Sequence, residues 1–317
     1  MNKILNFALI GAAGYIAPRH MKAIKETGNK LTTLLDPCDS VGIIDSYFPN
    51  ADYFKESERF DRHLDKIRRN KESKIDYVSI CSPNYLHDAH IRMAMRNQAD
   101  VICEKPLVLN PWNITALKEI EKETNKKINT ILQLRLHDSI VKLKKEIEES
   151  KNAFFDINLT YITSRGNWYY YSWKGDESKS GGIATNIGIH FFDMLSWIFG
   201  APEKSVVHLH EKNKAAGYFA LKNAGIRWFL SIDENDLPDE IKGKKRTYRL
   251  ISVNGNEVEF SDGFTDLHTL SYKEILNGNG FGLDDAFNSI EMVYNIRNSK
   301  ITPISGEYHP LLKKIIK

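Results

Sequence analysis

The chain has 317 residues, 42% of them hydrophobic, with 44 Lys and Arg against 41 Asp and Glu and a net charge of +3. That length accommodates two domains of ordinary size, no run approaches the ~18 apolar residues of a membrane span, and the scattered basic residues give no footprint for nucleic acid. Three isolated cysteines, Cys38, Cys81 and Cys103, exclude a disulfide framework or a cysteine-based zinc site and fit a reducing compartment. Met1 to Lys3 lead straight into a strand pattern with no signal-peptide signature, so a cytoplasmic location is expected. The one compact basic run, Lys242 to Arg246, reads as an exposed hairpin.

In chain order, the first apolar run, Phe7 to Ile10, meets the small-residue turn Gly11-Ala12-Ala13-Gly14-Tyr15-Ile16-Ala17. A helical pattern from Pro18 to Thr27 follows, then a second apolar run, Leu31 to Leu35, ending on Asp36. Strand, glycine-containing turn, helix, strand and acid is the order in which an α/β fold binds a dinucleotide. Small residues let the backbone approach a pyrophosphate, and the helix start stabilises its charge. Asp36 is expected to accept hydrogen bonds from the adenosine ribose hydroxyls and to repel a 2′-phosphate, which favours NAD over NADP. Gly11, Ala13, Gly14, Tyr15, Ile16 and Asp36 are therefore candidate cofactor residues. The spacing is one residue longer than G-x-G-x-x-G, and an ordinary βαβ turn is the competing reading.

Short apolar runs at Tyr77 to Ile80, Val101 to Cys103 and Ile128 to Leu132 read as buried parallel strands. Leu86 to Asn97 and Pro111 to Thr124 read as helices, the latter with Asn110 as N-cap. The polar segment Asp39 to Asn70 is expected to carry further helices. Ser82-Pro83-Asn84-Tyr85-Leu86-His87 and Glu104-Lys105-Pro106 each follow a strand end, where α/β sheets bind ligands. Pro106 favours an extended Lys105, so the lysine projects from the strand end. Ser82, Pro83, Asn84, His87, Glu104, Lys105 and Gln133 complete the expected cofactor set. His87 and His90 lie three apart on a helix, but no carboxylate–histidine set completes a metal site there, and no metal is expected.

The pattern changes near Gln133, dividing the chain into an expected cofactor domain, 1–132, and a second domain, 133–317. A helix over His137 to Glu149 precedes alternating runs at Asp156 to Thr163, Gly225 to Ile232, Tyr248 to Val253 and Glu257 to Phe260. These predict a mostly antiparallel sheet with Asn254-Gly255 as a hairpin turn. Gly181-Gly182 opens a helix ending at Gly200, on which Asn186, His190 and Asp193 fall at i, i+4 and i+7, one face. Thr163, Arg165, Asn167 and Trp168, with Trp173-Lys174 beyond, suit an anionic sugar: guanidinium for carboxylate or phosphate, rings for the sugar face or a base. A structural aromatic segment or subunit contact is the alternative.

The glycine turn, Ser82-Pro83 with His87, Glu104-Lys105-Pro106, and Gly181-Gly182 through His190 and Asp193 together resemble the Gfo/Idh/MocA oxidoreductase family. Within it, Gly11 to His20, Ser79 to His87, Thr163 to Trp168 and Gly263 to His268 resemble the WbpB/WlbA-type branch, which oxidises UDP-N-acetylglucosaminuronic acid at C3 in bacterial surface-polysaccharide (O-antigen) synthesis. The resemblance implies an α/β fold: an N-terminal Rossmann domain, then a C-terminal α/β domain with a large, mostly antiparallel open sheet. It also implies NAD, a UDP-sugar substrate and a homotetramer. Lys105 and His190 are the expected catalytic pair, with Lys105, Thr163, Arg165, Asn167, Trp168, Asn186 and His190 on the substrate. Most of the wider family has Asp at the position of Asn186; the amide supplies no charge to His190, so either Lys105 or His190 can be the proton acceptor. A dehydrogenase of a free sugar or polyol and a non-catalytic NAD-binding regulator are the competing functions.

Overall fold

The computed structural model describes residues 3–150, 153–258 and 266–315. The chain packs as two units, one of residues 1–133 with 265–287, the other of 134–264 with 288–317. Phe260 of the last expected strand, and Gly263, Phe264 and Thr265, lie outside the described residues.

The elements of the first stretch are β1 (Asn6–Ile10), α1 (Ala17–Glu26), β2 (Lys30–Leu35), β3 (Asp52–Phe54), α2 (Ser57–Ile67), β4 (Tyr77–Ile80), α3 (His87–Arg96), β5 (Asp100–Cys103), α4 (Pro111–Thr124) and β6 (Ile128–Thr130). All six strands are parallel, in the order β3-β2-β1-β4-β5-β6. This is a doubly wound sheet whose order reverses between β1 and β4, so the loops after those strands border its ligand crevice. Helices cover both faces, which is why β1, β4 and β5 are almost unbroken apolar runs. Phe7, Leu9, Met21, Ile24, Leu34 and Ile102 form the buried centre. The polar segment before β4 holds a strand besides its helices: β3 has only three residues, too few to show a period of two. Asn110 is the N-cap residue of α4, with Pro111 in the first turn, but its side chain makes no capping bond.

The second unit runs through α5 (Asp138–Glu149), β7 (Phe155–Thr163), α6 (Trp168–Tyr171), α7 (Glu177–Ser180), a π-helical turn (Ala184–Gly188), α8 (Ile189–Phe199), β8 (Pro202–His210), β9 (Lys214–Leu221), β10 (Ala224–Ser231), β11 (Thr247–Val253) and β12 (Asn256–Glu257). The strand order is β12-β11-β7-β10-β9-β8, and only β7 and β10 pair in parallel. The mostly antiparallel sheet expected from the alternating runs is present. Asn254 and Gly255, at φ 51° and 80°, make the two-residue turn between β11 and β12. Strands β8 and β9 carry no clear alternation in the sequence; lysines, alanines and a glycine dilute it, and the pairing of β9 with β10 and of β8 with β9 decides their state. The Phe192 ring of α8 meets Phe219 and Trp228 edge-on at 5.1 and 5.4 Å, holding that helix on the sheet. Lys242 to Arg246 is exposed, as expected, but lies in a turn leading to β11 rather than in a hairpin.

After the second sheet the chain forms α9 (Leu267–Leu276), which belongs to the first unit and packs on α1, then α10 (Leu283–Asn298) and α11 (Leu312–Ile315). Among the described residues no helix is long and apolar enough to cross a membrane.

Candidate active site

The glycine turn leaves β1 at Gly11, whose φ is +93°. A Cβ there would lie 2.6 Å from the Cys81 carbonyl carbon and 2.7 Å from the Ser82 nitrogen, so only glycine lets the turn pass beneath the end of β4. Gly14 closes the turn by donating its amide to the Gly11 carbonyl at 3.0 Å, and Ala17 then donates to Gly14 at 3.1 Å as α1 begins. Tyr15 projects into solvent, while Ile16 sits half-buried at the helix start. Asp36, beyond β2, is 8% exposed. Its Oδ2 accepts the Ala13 amide at 2.9 Å and its Oδ1 accepts the Cys38 amide at 2.8 Å. The predicted turn and the predicted acid are thus joined directly. A carboxylate oxygen accepts two bonds, so one lone pair on each remains for a diol.

The loops after β4 and β5 are tied by His87. This ring is fully buried, with Nδ1 2.7 Å from the Pro106 carbonyl and Nε2 2.9 Å from the Ser82 carbonyl. Burial lowers its proton affinity, against the opposing pull of those two carbonyls. His87 therefore sets the spacing of the two strand-end loops. His90 bonds the Ser82 hydroxyl at 2.8 Å, and burial brings its pKa down to about 4. Pro83 and the buried Asn84 begin a short helical turn into α3. Cys81 and Cys103 are buried, as expected, and burial pushes both thiols well above their ordinary pKa. Beyond β6, Gln133 keeps a buried Oε1 with no hydrogen-bond partner among the described residues, an acceptor available to a bound ligand.

At the end of β5, Glu104 is buried and the half-buried Lys105 precedes a cis Pro106 peptide. Glu104 Oε1 lies 2.9 Å from His20 Nε2 and 2.9 Å from His268 Nε2, and its Oε2 accepts the Lys105 amide at 3.2 Å. Burial alone would raise the Glu104 pKa; the two imidazole hydrogen bonds outweigh it and hold the carboxyl well below its usual range. Sequence reasoning missed His20, His268 and Tyr272, which meet here from helices far apart in the chain. The only signal available was the place of His20 and His268 in the segments that carry the family resemblance; Tyr272 lies outside them.

In the second unit every residue from Ile183 to Ser196 is buried except Asn186 and His190, which are half-exposed. The π turn preceding α8 inserts a residue that helical spacing does not anticipate, a feature frequent at functional sites. Asp193, expected on the same face, instead turns inward: Arg135 Nη2 and Nε donate to its two oxygens at 2.7 and 3.0 Å, a buried bidentate pair. Asn186 donates its amide to the Tyr169 hydroxyl at 2.8 Å. Tyr169 belongs to α6, so Asn186 is linked to the aromatic segment after β7. Thr163 ends β7, with its hydroxyl 3.2 Å from that of Thr247. Arg165 and Asn167 are exposed, as is Trp168 at 53%. Lys174 stacks its ammonium 4.2 Å above the Trp173 ring; burial and the neighbouring Arg165 lower its pKa. Among the described residues neither Arg165 nor Lys174 has an acidic partner, so this segment presents two uncompensated cations beside aromatic rings.

An α/β unit with a dinucleotide turn, an acid after β2 and a lysine after β5, joined to a mixed-sheet unit with a half-exposed histidine, defines an NAD-binding oxidoreductase fold. Residues 5–131 match the family model for the NAD-binding Rossmann fold of the Gfo/Idh/MocA oxidoreductases, and residues 153–301 match that for their C-terminal alpha/beta domain. The chain belongs to the Gfo/Idh/MocA oxidoreductase family. The WlbA (WbpB) dehydrogenase of Thermus thermophilus, solved with NAD and alpha-ketoglutarate, is 50% identical with a TM-score of 0.94, covering 97% of this chain and 100% of its own. The same dehydrogenase solved with NAD and UDP-GlcNAcA gives 49% identity, a TM-score of 0.94 and the same coverage. Inositol 2-dehydrogenase of Rhizobium meliloti is 26% identical over 213 residues, 64% of this chain and 57% of that protein. The chain spans between about a third and three-fifths of the curated relatives it first matches.

Proposed function

We infer that this chain is an NAD-dependent dehydrogenase that oxidises the C3 hydroxyl of UDP-N-acetylglucosaminuronic acid to the 3-keto sugar. The observation that carries the reading is a full-length relative, half identical, solved with NAD and with UDP-GlcNAcA. The residues fit the cofactor: the turn at Gly11 leaves backbone open to a pyrophosphate, Asp36 keeps acceptor capacity for a diol, and Gln133 offers an unpaired acceptor. NAD, when bound, supplies the hydride acceptor at nicotinamide C4.

Lys105 and His190 form the proposed proton-handling pair. The Lys105 ammonium donates to the C3 oxygen and stabilises its developing negative charge. His190 takes the hydroxyl proton as general base. Asn186, held by Tyr169, positions the sugar beside it. Arg165 and Lys174 neutralise the carboxylate and phosphates, and Trp168 offers a ring face to the sugar or uracil. The alpha-ketoglutarate complex of the relative supports reoxidation by a 2-oxo acid, which takes up hydride and proton to become a 2-hydroxy acid. The reading includes a cytoplasmic homotetramer serving bacterial surface-polysaccharide synthesis.

Purified protein incubated with NAD, UDP-N-acetylglucosaminuronic acid and 2-oxoglutarate is expected to form 3-keto sugar and 2-hydroxyglutarate in equal amounts. Faster turnover of the free sugar acid or of inositol than of the UDP sugar would remove the nucleotide-sugar reading.

A further inference from the structure

We propose that His20, His268 and Tyr272 are positioning residues for Lys105: they hold Glu104 as a buried carboxylate whose second oxygen fixes the lysine's backbone amide. The proposal rests on the role given to Lys105 above and adds to it the set of side chains that aims the amine.

The hydrogen-bond directions follow from one constraint. An ionised carboxylate only accepts, so His20 and His268 must each donate to Glu104 Oε1 through Nε2–H, at 2.9 Å in both cases. A neutral His20 then has a lone pair on Nδ1, which lies 2.7 Å from the Tyr272 hydroxyl and accepts its proton. The Tyr272 oxygen in turn accepts from the Ser79 hydroxyl, 2.6 Å away. The chain therefore runs in one direction, Ser79 to Tyr272 to His20 to Glu104, with His268 entering from the other side. Every member is buried. Burial lowers the proton affinity of His20, and the carboxyl is held well below its usual pKa. The other titratable groups around it are Cys81, Cys103 and His87, with Arg19 facing His20.

The placement gives the network its purpose. Ser79 lies on β4, His20 on α1 behind the glycine turn, and Tyr272 and His268 on α9. They converge on the residue immediately before Lys105, and Glu104 Oε2 completes the link by accepting the Lys105 amide at 3.2 Å. A buried carboxylate that only filled space would be replaced at little cost by an apolar side chain. Here it is held at one oxygen by two imidazoles and spends the other on the backbone of the reacting lysine. The ligand atoms of His20, Glu104 and His268 also lie within 4.8 Å of one another, a spacing that a zinc ion can use. The donors and acceptors just listed pair without a cation, except His268 Nδ1, which is buried with no partner among the described residues.

Three variants of the full-length, NAD-loaded protein test this: Glu104→Gln, His268→Leu and His268→Gln. Amide hydrogen exchange of the peptide spanning residues 100–109 is the substrate-free readout. Glu104→Gln and His268→Leu are expected to accelerate exchange there about tenfold while the glycine-turn peptide stays protected. Both are expected to lower kcat on UDP-N-acetylglucosaminuronic acid about 100-fold, as misplacement of a reacting group does, with KM for NAD within about threefold of wild type. His268→Gln, whose amide still donates to Glu104, is expected to recover most of both losses. Unchanged local exchange in Glu104→Gln, or one equivalent of a transition metal in the wild-type protein that this variant loses, overturns the proposal. If wild-type protein fails to turn over the UDP sugar, the functional reading falls, and the exchange data alone then decide the network.

Discussion

Asp36 and Glu104 are two buried carboxylates at the carboxyl ends of strands of one parallel sheet, 8% and 6% exposed, yet they are held in opposite ways. Asp36 is satisfied by backbone amides from its own turn and from the glycine turn beside it, which leaves lone pairs for a ligand. Glu104 accepts from two buried imidazoles on α1 and α9, far from it in the chain, and from the half-buried backbone amide of the next residue, Lys105. A carboxylate tied locally is suited to bind; one tied by remote side chains is suited to hold something else in place. Under the proposed function, the difference separates the binding of the cofactor from the placement of Lys105.

The largest effect that sharpens this contrast is on turnover. Lys105→Ala and His190→Ala are each expected to lower kcat by about 10²–10⁴, the range for loss of a proton-handling group, with NAD affinity nearly unchanged. Near-normal single-turnover rates in either variant would dissolve the proposed pair. Asp36→Ala should show the reverse pattern. Losing charge-assisted bonds, at about 1.5–3 kcal/mol each, is expected to weaken NAD about 100-fold and to raise relative use of NADP, with kcat at saturating NAD largely kept. A kcat defect with normal NAD affinity would break the comparison from that side.

Arg165→Ala is expected to raise KM for the UDP sugar by about tenfold to 100-fold and leave KM for NAD alone, as read in steady-state kinetics. The smallest effect is on stability against pH. Burial holds the folded pKa of His90 and His309 at about 4, below the 6.5 of an ordinary histidine, and lowers that of His20 as well. The unfolded chain binds those protons first. Stability is thus fully present above pH ~6.5 and is lost as pH falls toward 4, by about 1.4 kcal/mol per pH unit for each such histidine. Glu104 acts with the same sign below the range of a free carboxyl. Denaturant midpoints measured between pH 8 and pH 4 (about 1.5 units above and about 2.5 units below the histidine reference) should be flat first and then decline.

The parts of the site that were legible are those whose chemistry sits in a short stretch of chain. The turn from Gly11 to Ala17, Asp36 after β2 and Lys105 after β5 could be placed at strand ends because strand, turn and helix are local patterns. The helix carrying Asn186 and His190 was also visible, but its π turn was not, since nothing in residue spacing marks one extra residue in a turn. Asp193 matched its neighbours by helical period, yet it pairs with Arg135, a contact 58 positions away.

The family, the alternation of elements and the small-residue turn after β1 follow from local order in the sequence, because each depends on groups within a few residues of one another. The return of α9 to the first sheet, and with it the His268–Glu104–His20–Tyr272 cluster, was decided only by tertiary structure. Three of those side chains are inconspicuous where they stand in the chain, and a hydrogen bond between residues 164 positions apart leaves no local trace.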